Sequence, residues 1–139
     1  MTVHPWLDEM ITAIESTEDV HLVVPPYTAY LRTVRLVAAD AAGRAGLDCE
    51  EVSDFRMAVD ELCHILMQST DQLLQLSFSV VHEQVVGRGS ATPARPAMLS
   101  DLSETIVRSV SDYYELLPEK GRLTFLVIKQ ASRELVPKL

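Results

Sequence analysis

Val52, Phe55, Val59, Leu62 and Leu66 recur at alternating spacings of three and four, which reads as one apolar stripe about five turns long on a single helix. Just ahead of it, Asp48 and Glu51 have the D-x-x-E spacing of a capping box, in which each side chain accepts a hydrogen bond from the other residue's backbone. The helix is therefore expected over the stretch from Leu47 to Thr70. Asp60 and Glu61 sit beside the stripe, flanked by Ala58 and Ile65. Carboxylates in that place either face a pocket or stay in solvent, and on an amphipathic helix solvent is the commoner outcome.

A second helix is predicted from Tyr27 to Ala45, with Tyr27, Leu31, Val34, Ala38, Ala41 and Ala45 in register. Its alanine-rich distal half lets a neighbour approach closely. Asp40 and Arg44 are one turn apart and can pair, and Gly46 is placed to cap the end. Arg32 and Arg35 lie on its polar flank. Elsewhere the period is two. Leu74, Leu76, Phe78 and Val80 alternate with Gln75, Ser77, Ser79 and Val81, a strand with one dry and one wet face. His82-Glu83-Gln84 turns it, and Val85 to Ala91 returns as an antiparallel partner weakened by Gly87 and Gly89.

Val20 to Val24 is a short β-branched run closed by Pro25-Pro26, which marks an edge strand. Leu123 to Lys129 is apolar on both faces and suits an interior strand. Asp101 and Glu104 are expected to open a further capped helix, whose stripe runs through Leu102, Ile106, Val110, Tyr113 and Leu117 to a stop at Pro118 and Gly121. TPARPAM, Thr92 to Met98, reads as a mobile proline-alanine loop with little to bury. At the front, Pro5, Trp6, Met10, Ile11 and Ile14 suggest a lead helix, and the tail from Ala131 is expected to fray. The order is helix, strand, helix, helix, strand, strand, helix, strand. That is an α+β layer of about four mostly antiparallel strands with helices on one face, divided into an extension over 1–19 and a domain over 20–139.

Composition narrows the function classes. A chain of 139 residues accommodates one core. A net charge of -8 with scattered basic residues disfavours nucleic acid, and suits a cytoplasmic protein with a basic protein partner. No apolar run reaches the roughly 18 residues of a membrane span. Cys49 and Cys63 lie about four turns apart on one helix, beyond bonding reach of each other, and read as reduced thiols. Gly87, Gly89 and Ser90 make no phosphate loop, because neither a helix nor a lysine follows directly.

FRMAVDELC, Phe55 to Cys63, together with the order of elements and a late helix running into an apolar strand, resembles the anti-sigma factor kinases of the SpoIIAB/RsbW type, in their divergent actinobacterial form. The resemblance covers Val20 to Lys129. It implies the Bergerat nucleotide fold of the histidine-kinase-like ATPases, a two-layer sandwich that takes ATP and Mg²⁺. In that family a helix motif E-x-x-x-N supplies a glutamate as general base and an asparagine that holds the metal. Glu61 matches the glutamate, and Ile65 stands where the asparagine would be; a hydrocarbon side chain has no lone pair for Mg²⁺. The adenine-reading D-x-G-x-G is replaced by T-P-A-R-P-A, and the glycine-rich lid by Met98-Leu99-Ser100. These departures favour protein binding over phosphoryl transfer. The family's partners are a sigma factor and an anti-anti-sigma antagonist with a STAS domain, bound by a homodimer. Arg35 matches the family's partner-binding arginine, with Arg32 as a second choice. The resemblance thus implies an anti-sigma factor that works by partner switching. Its alternatives are an active serine-protein kinase acting on the antagonist through Glu61, and a pseudo-ATPase that serves only for dimerisation.

Overall fold

A computed structural model of the chain describes residues 19–132. Among them are five strands: β1 (Val20–Val24), β2 (Leu74–Val81), β3 (Gln84–Ala91), β4 (Tyr113–Glu119) and β5 (Arg122–Gln130). They form one sheet in the order β1-β2-β3-β5-β4, and every neighbouring pair is antiparallel. Three helices pack on it: α1 (Leu31–Arg44), α2 (Cys49–Ser69) and α3 (Asp101–Val110). The lead helix expected over 1–17 falls outside the described residues.

The register explains the layering. Leu22, Leu76, Gly89, Phe125 and Leu116 form one row across the five strands, and Val24, Leu74, Ala91 and Leu123 another. These residues share a face. They join a single buried cluster with Val34, Ala38 and Ala41 of α1, Phe55, Val59, Leu62 and Leu66 of α2, and Val107 of α3. Because β3 carries no side chain at Gly89, the ring of Phe125 lies across its backbone. A Cβ there would stand 2.2 Å from Phe125 Cε2 and 2.8 Å from Leu76 Cδ2. Gly87 leaves similar room beside the edge-to-face pair of Phe55 and Phe78, whose centroids are 6.3 Å apart. The two glycines that looked like weak points of the strand are space for aromatic packing.

Local signals set the helix ends. Asp48 Oδ1 accepts from the Glu51 N–H at 2.8 Å and Glu51 Oε1 from the Asp48 N–H at 2.9 Å, so the capping box is complete. Gly46 has φ +91, and the Leu47 and Gly46 N–H groups return to the carbonyls of Ala42 and Gly43 at 3.2 and 3.1 Å. This is the paired bonding that ends a helix with a left-handed residue. The short connection makes α1 and α2 neighbours, and their alanine and stripe positions meet.

Three expectations are corrected. The helix after residue 100 ends at Val110, and Tyr113 to Glu119 forms a strand, which gives five strands where about four were expected. Tyr113 and Leu117 are four apart and fit a helix. They are also on one side of a strand whose other side is Tyr114, Leu116 and Pro118. The hairpin with β5 decides between these: the Asp112 N–H donates to the Ile128 carbonyl at 3.0 Å and Asp112 Oδ2 accepts from the Gln130 N–H at 2.7 Å. Pro118 is tolerated because β4 is an edge strand. The cap of α3 is Ser100, whose hydroxyl accepts from the Ser103 N–H at 3.1 Å; Asp101 is already in the first turn. At the other end of the molecule, Tyr27 is exposed and extended, Thr28–Tyr30 form a 3-10 turn, and α1 starts at Leu31.

The proline-alanine loop is held, not loose. The Arg95 N–H donates to the Ser69 carbonyl at 2.6 Å, and its guanidinium reaches the Gln68 carbonyl at 2.9 Å and Asp71 Oδ2 at 3.1 Å. The Ala94 N–H donates to the Gly121 carbonyl at 2.9 Å. One arginine thereby clamps the loop to the end of α2. No helix among the described residues is long and apolar enough to cross a membrane.

Candidate functional site

The central helix α2 separates its residues by side. Phe55, Val59, Leu62 and Leu66 are fully buried, whereas Asp60 and Glu61 are half-buried beside that stripe, at the border with solvent. Ile65, one turn beyond Glu61, is 8% exposed and belongs to the hydrophobic cluster. The structure puts Glu61 and Ile65 on one helix face as the spacing required. What it puts beside the carboxylate is hydrocarbon. No group of three or more His, Cys, Asp or Glu side chains able to hold a metal occurs among the described residues.

Asp60, the neighbour of Glu61, has the partner that sequence reasoning did not assign. Its Oδ1 accepts from Arg35 Nε at 2.7 Å, joining α2 to α1. The signal for this pair was present: an arginine on the polar flank of one helix, a carboxylate at the stripe edge of the next, and a tight turn between them. Their separation of 25 residues along the chain hides it from any local pattern. The hydrogen bond it donates to Asp60 raises the Arg35 guanidinium above its ordinary value. With Nε engaged, neither terminal nitrogen of Arg35 has a bond among the described residues, and the side chain is 44% exposed. Arg32, one turn earlier, is exposed and has no ion pair among the described residues. The arginines that the sequence singled out are thus surface groups on α1. Arg35 and Asp60 meet; Glu61 and Ile65 sit on the same helix beyond them.

A second tie lies at the start of α2. Glu51 Oε2 accepts from the Ser132 N–H at 2.7 Å, while Oε1 completes the capping box. The N–H of Asp48, then that of Ser132, lowers the Glu51 carboxyl below the usual glutamate range. The chain after β5 is therefore fastened to the helix at residue 132, although the tail was expected to fray from Ala131. Of the cysteines, Cys49 is exposed, and Cys63 is buried with its thiol pKa pushed up by that burial. A shallow depression of about 150 Å³ lies between the clamped loop and the β4–β5 turn, bordered by Arg95, Pro96, Glu119 and Arg122; its lining includes neither Glu61 nor Ile65.

No protein-family model matches the sequence, and no curated protein does. Among solved structures, the chain is similar to the crystal structure of the RsbU and RsbW domains of Rv1364c from Mycobacterium tuberculosis, with a TM-score of 0.69 and 14% identity. The match covers 85% of this chain and 34% of that one, so the chain spans about a third of the length of the structure it resembles. At that identity the likeness is one of fold. It agrees with the α+β layer of a five-stranded antiparallel sheet and three helices.

Proposed function

We propose that this chain is an anti-sigma factor of partner-switching type, which sequesters a sigma factor by surface contact and releases it to an anti-anti-sigma antagonist with a STAS domain. The observation that carries the reading is the fold shared with a structure containing an RsbW domain, over most of this chain's length. The contact is assigned to the outward side of α1, where Arg35 and Arg32 present charge beside exposed Leu36. Arginine suits this role because its planar fork pairs a partner carboxylate through two parallel bonds. Asp60 holds one edge of that fork in place and so reduces what the side chain must lose in freedom when a partner arrives. The protein acts in the cytoplasm, and a second copy joins through the outer edge of β1.

Catalysis has no part in this reading. The donor set on α2 does not fit Mg²⁺-ATP: Ile65 offers no lone pair, and it sits in the core rather than beside an open site. Where the family has glycine-rich loops, this chain has a proline-alanine segment clamped to the end of α2 by Arg95. Glu61 keeps its place on the helix as a surface carboxylate. Co-purification of the tagged full chain from its own cell tests the assignment. A captured sigma factor is expected, and it should be lost with Arg35→Ala. Capture of a STAS protein that gains phosphate from ATP would replace this reading with the kinase.

A further inference from the structure

The arginines of this chain are not equally provided for. Arg35, Arg44 and Arg95 each hold a carboxylate oxygen at 2.7–3.1 Å, although their side chains are well exposed. Arg122, at the start of β5, is less exposed than any of them and worse matched. Its side chain is 30% exposed, and the nearest carboxylate oxygen, Glu119 Oε2, stands 3.7 Å from Nη2, beyond hydrogen-bond length. Nε is shut away from water with no acceptor, and no other group among the described residues takes a bond from this guanidinium. The register continued one pair beyond Ala91 and Leu123 puts Thr92 opposite Arg122, and its Oγ1 is likewise buried without a partner. Withdrawing a donor from water without giving it an acceptor is costly, and more so for a charged group. What Arg122 lacks is an anion.

Arg122 also borders the depression between the clamped loop and the β4–β5 turn. The two walls are fixed to each other, since the Ala94 N–H donates to the Gly121 carbonyl, and Arg95 fixes the loop to α2. Pro96, Ala97, Pro118 and Leu123 line the space with hydrocarbon. Its volume is about 150 Å³. A cavity of that size takes benzene, a molecule of about six heavy atoms, and is far too small for a nucleotide. We propose that this depression binds a small monocarboxylic acid, with the carboxylate on the Arg122 guanidinium and a short alkyl stem against Pro96 and Pro118. The planar fork of an arginine suits a carboxylate, which it pairs through two parallel bonds. One negative charge is favoured over two. Glu119 borders the same depression and the chain carries a net charge of -8, and both oppose a phosphate dianion. None of the lining residues belongs to α1 or α2, so the site is independent of the contact assigned to Arg35.

Sodium butyrate, titrated into the isotope-labelled full chain at constant ionic strength and followed through backbone amide shifts, tests the site. The amides of Ala94, Gly121 and Arg122 should move together and saturate. Butyramide, the same stem without the charge, should leave them in place. Arg122→Gln should weaken butyrate binding by about ten-fold or more. Glu119→Gln removes a competing carboxylate from an exposed position and should tighten it. If Arg122→Gln does not fold, butyramide and Glu119→Gln carry the test. Shifts that never saturate, shifts that butyramide reproduces, or unchanged affinity in a folded Arg122→Gln would overturn the assignment. So would unchanged or weaker binding in Glu119→Gln, or inorganic phosphate binding more tightly than butyrate.

Discussion

The two flanks of α2 obey different rules. On the inner flank Phe55, Val59, Leu62 and Leu66 are closed off from water, and Ile65 extends that hydrocarbon surface by one more position. On the outer flank Asp60 and His64 keep contact with solvent, and Asp60 makes a cross-helix ion pair with Arg35. An inner flank made of methyl groups can hold a helix against a sheet but cannot bind a cation or a phosphate. An outer flank carrying an exposed ion pair gains little stability from it. The polar chemistry of this helix is therefore on the surface that other proteins can reach.

Substitutions on the two flanks should separate by size. Leu62→Ala opens a cavity in the middle of the core and should cost about 2–5 kcal/mol in denaturant unfolding. A loss below about 1 kcal/mol would mean that the inner flank is not close-packed. Ile65→Asn comes next. It places an amide where the surroundings are apolar, costing about 1–3 kcal/mol for the unsatisfied group, and calorimetry with Mg²⁺-ATP should still show little or no binding. Strong restored binding would show an intact nucleotide pocket and would blur the contrast between the flanks.

Much of this arrangement was legible in the chain because it is local. The capping box of Asp48 and Glu51, the Gly46 stop and the alternation from Leu74 to Phe78 each declare themselves within a few residues, and the bonds and burial follow them; beyond Phe78 the alternation fails, since Ser79 of the expected wet face is buried. Tyr113 and Leu117 misled because a spacing of four satisfies a helix and a strand alike. Only pairing with β5, joined through a two-residue turn at Lys120-Gly121, separates the two. The clamp by Arg95, the Arg35–Asp60 bridge and the hold of Glu51 on Ser132 join positions 24 to 81 residues apart, and no period along the sequence carries them. Glu61 and Ile65 were found by motif position. Asp60 was visible beside them, yet its partner was not.

Glu51 tests the border between the flanks. Its lowered carboxyl pKa means that its contribution to stability is present above the unfolded value, about pH 4.3, and is lost as pH falls through the lower folded value. Glu51→Gln should cost on the order of 0.5–1 kcal/mol at neutral pH, and the deficit should shrink towards zero in acid. A deficit that stays constant from pH 7 to pH 2 would assign the effect to shape rather than charge. Arg35→Ala should have the smallest effect on stability, about 0–1 kcal/mol, and a large one on partner capture. Equal losses of stability and capture would move Arg35 to the structural side of the comparison.

Most direct is a calorimetric titration of the co-purified sigma factor into the full chain, run once without nucleotide and once with saturating Mg²⁺-ATP. Recognition by the outer flank alone predicts saturable binding with the same affinity in both runs. No binding, or binding that requires Mg²⁺-ATP, would contradict it.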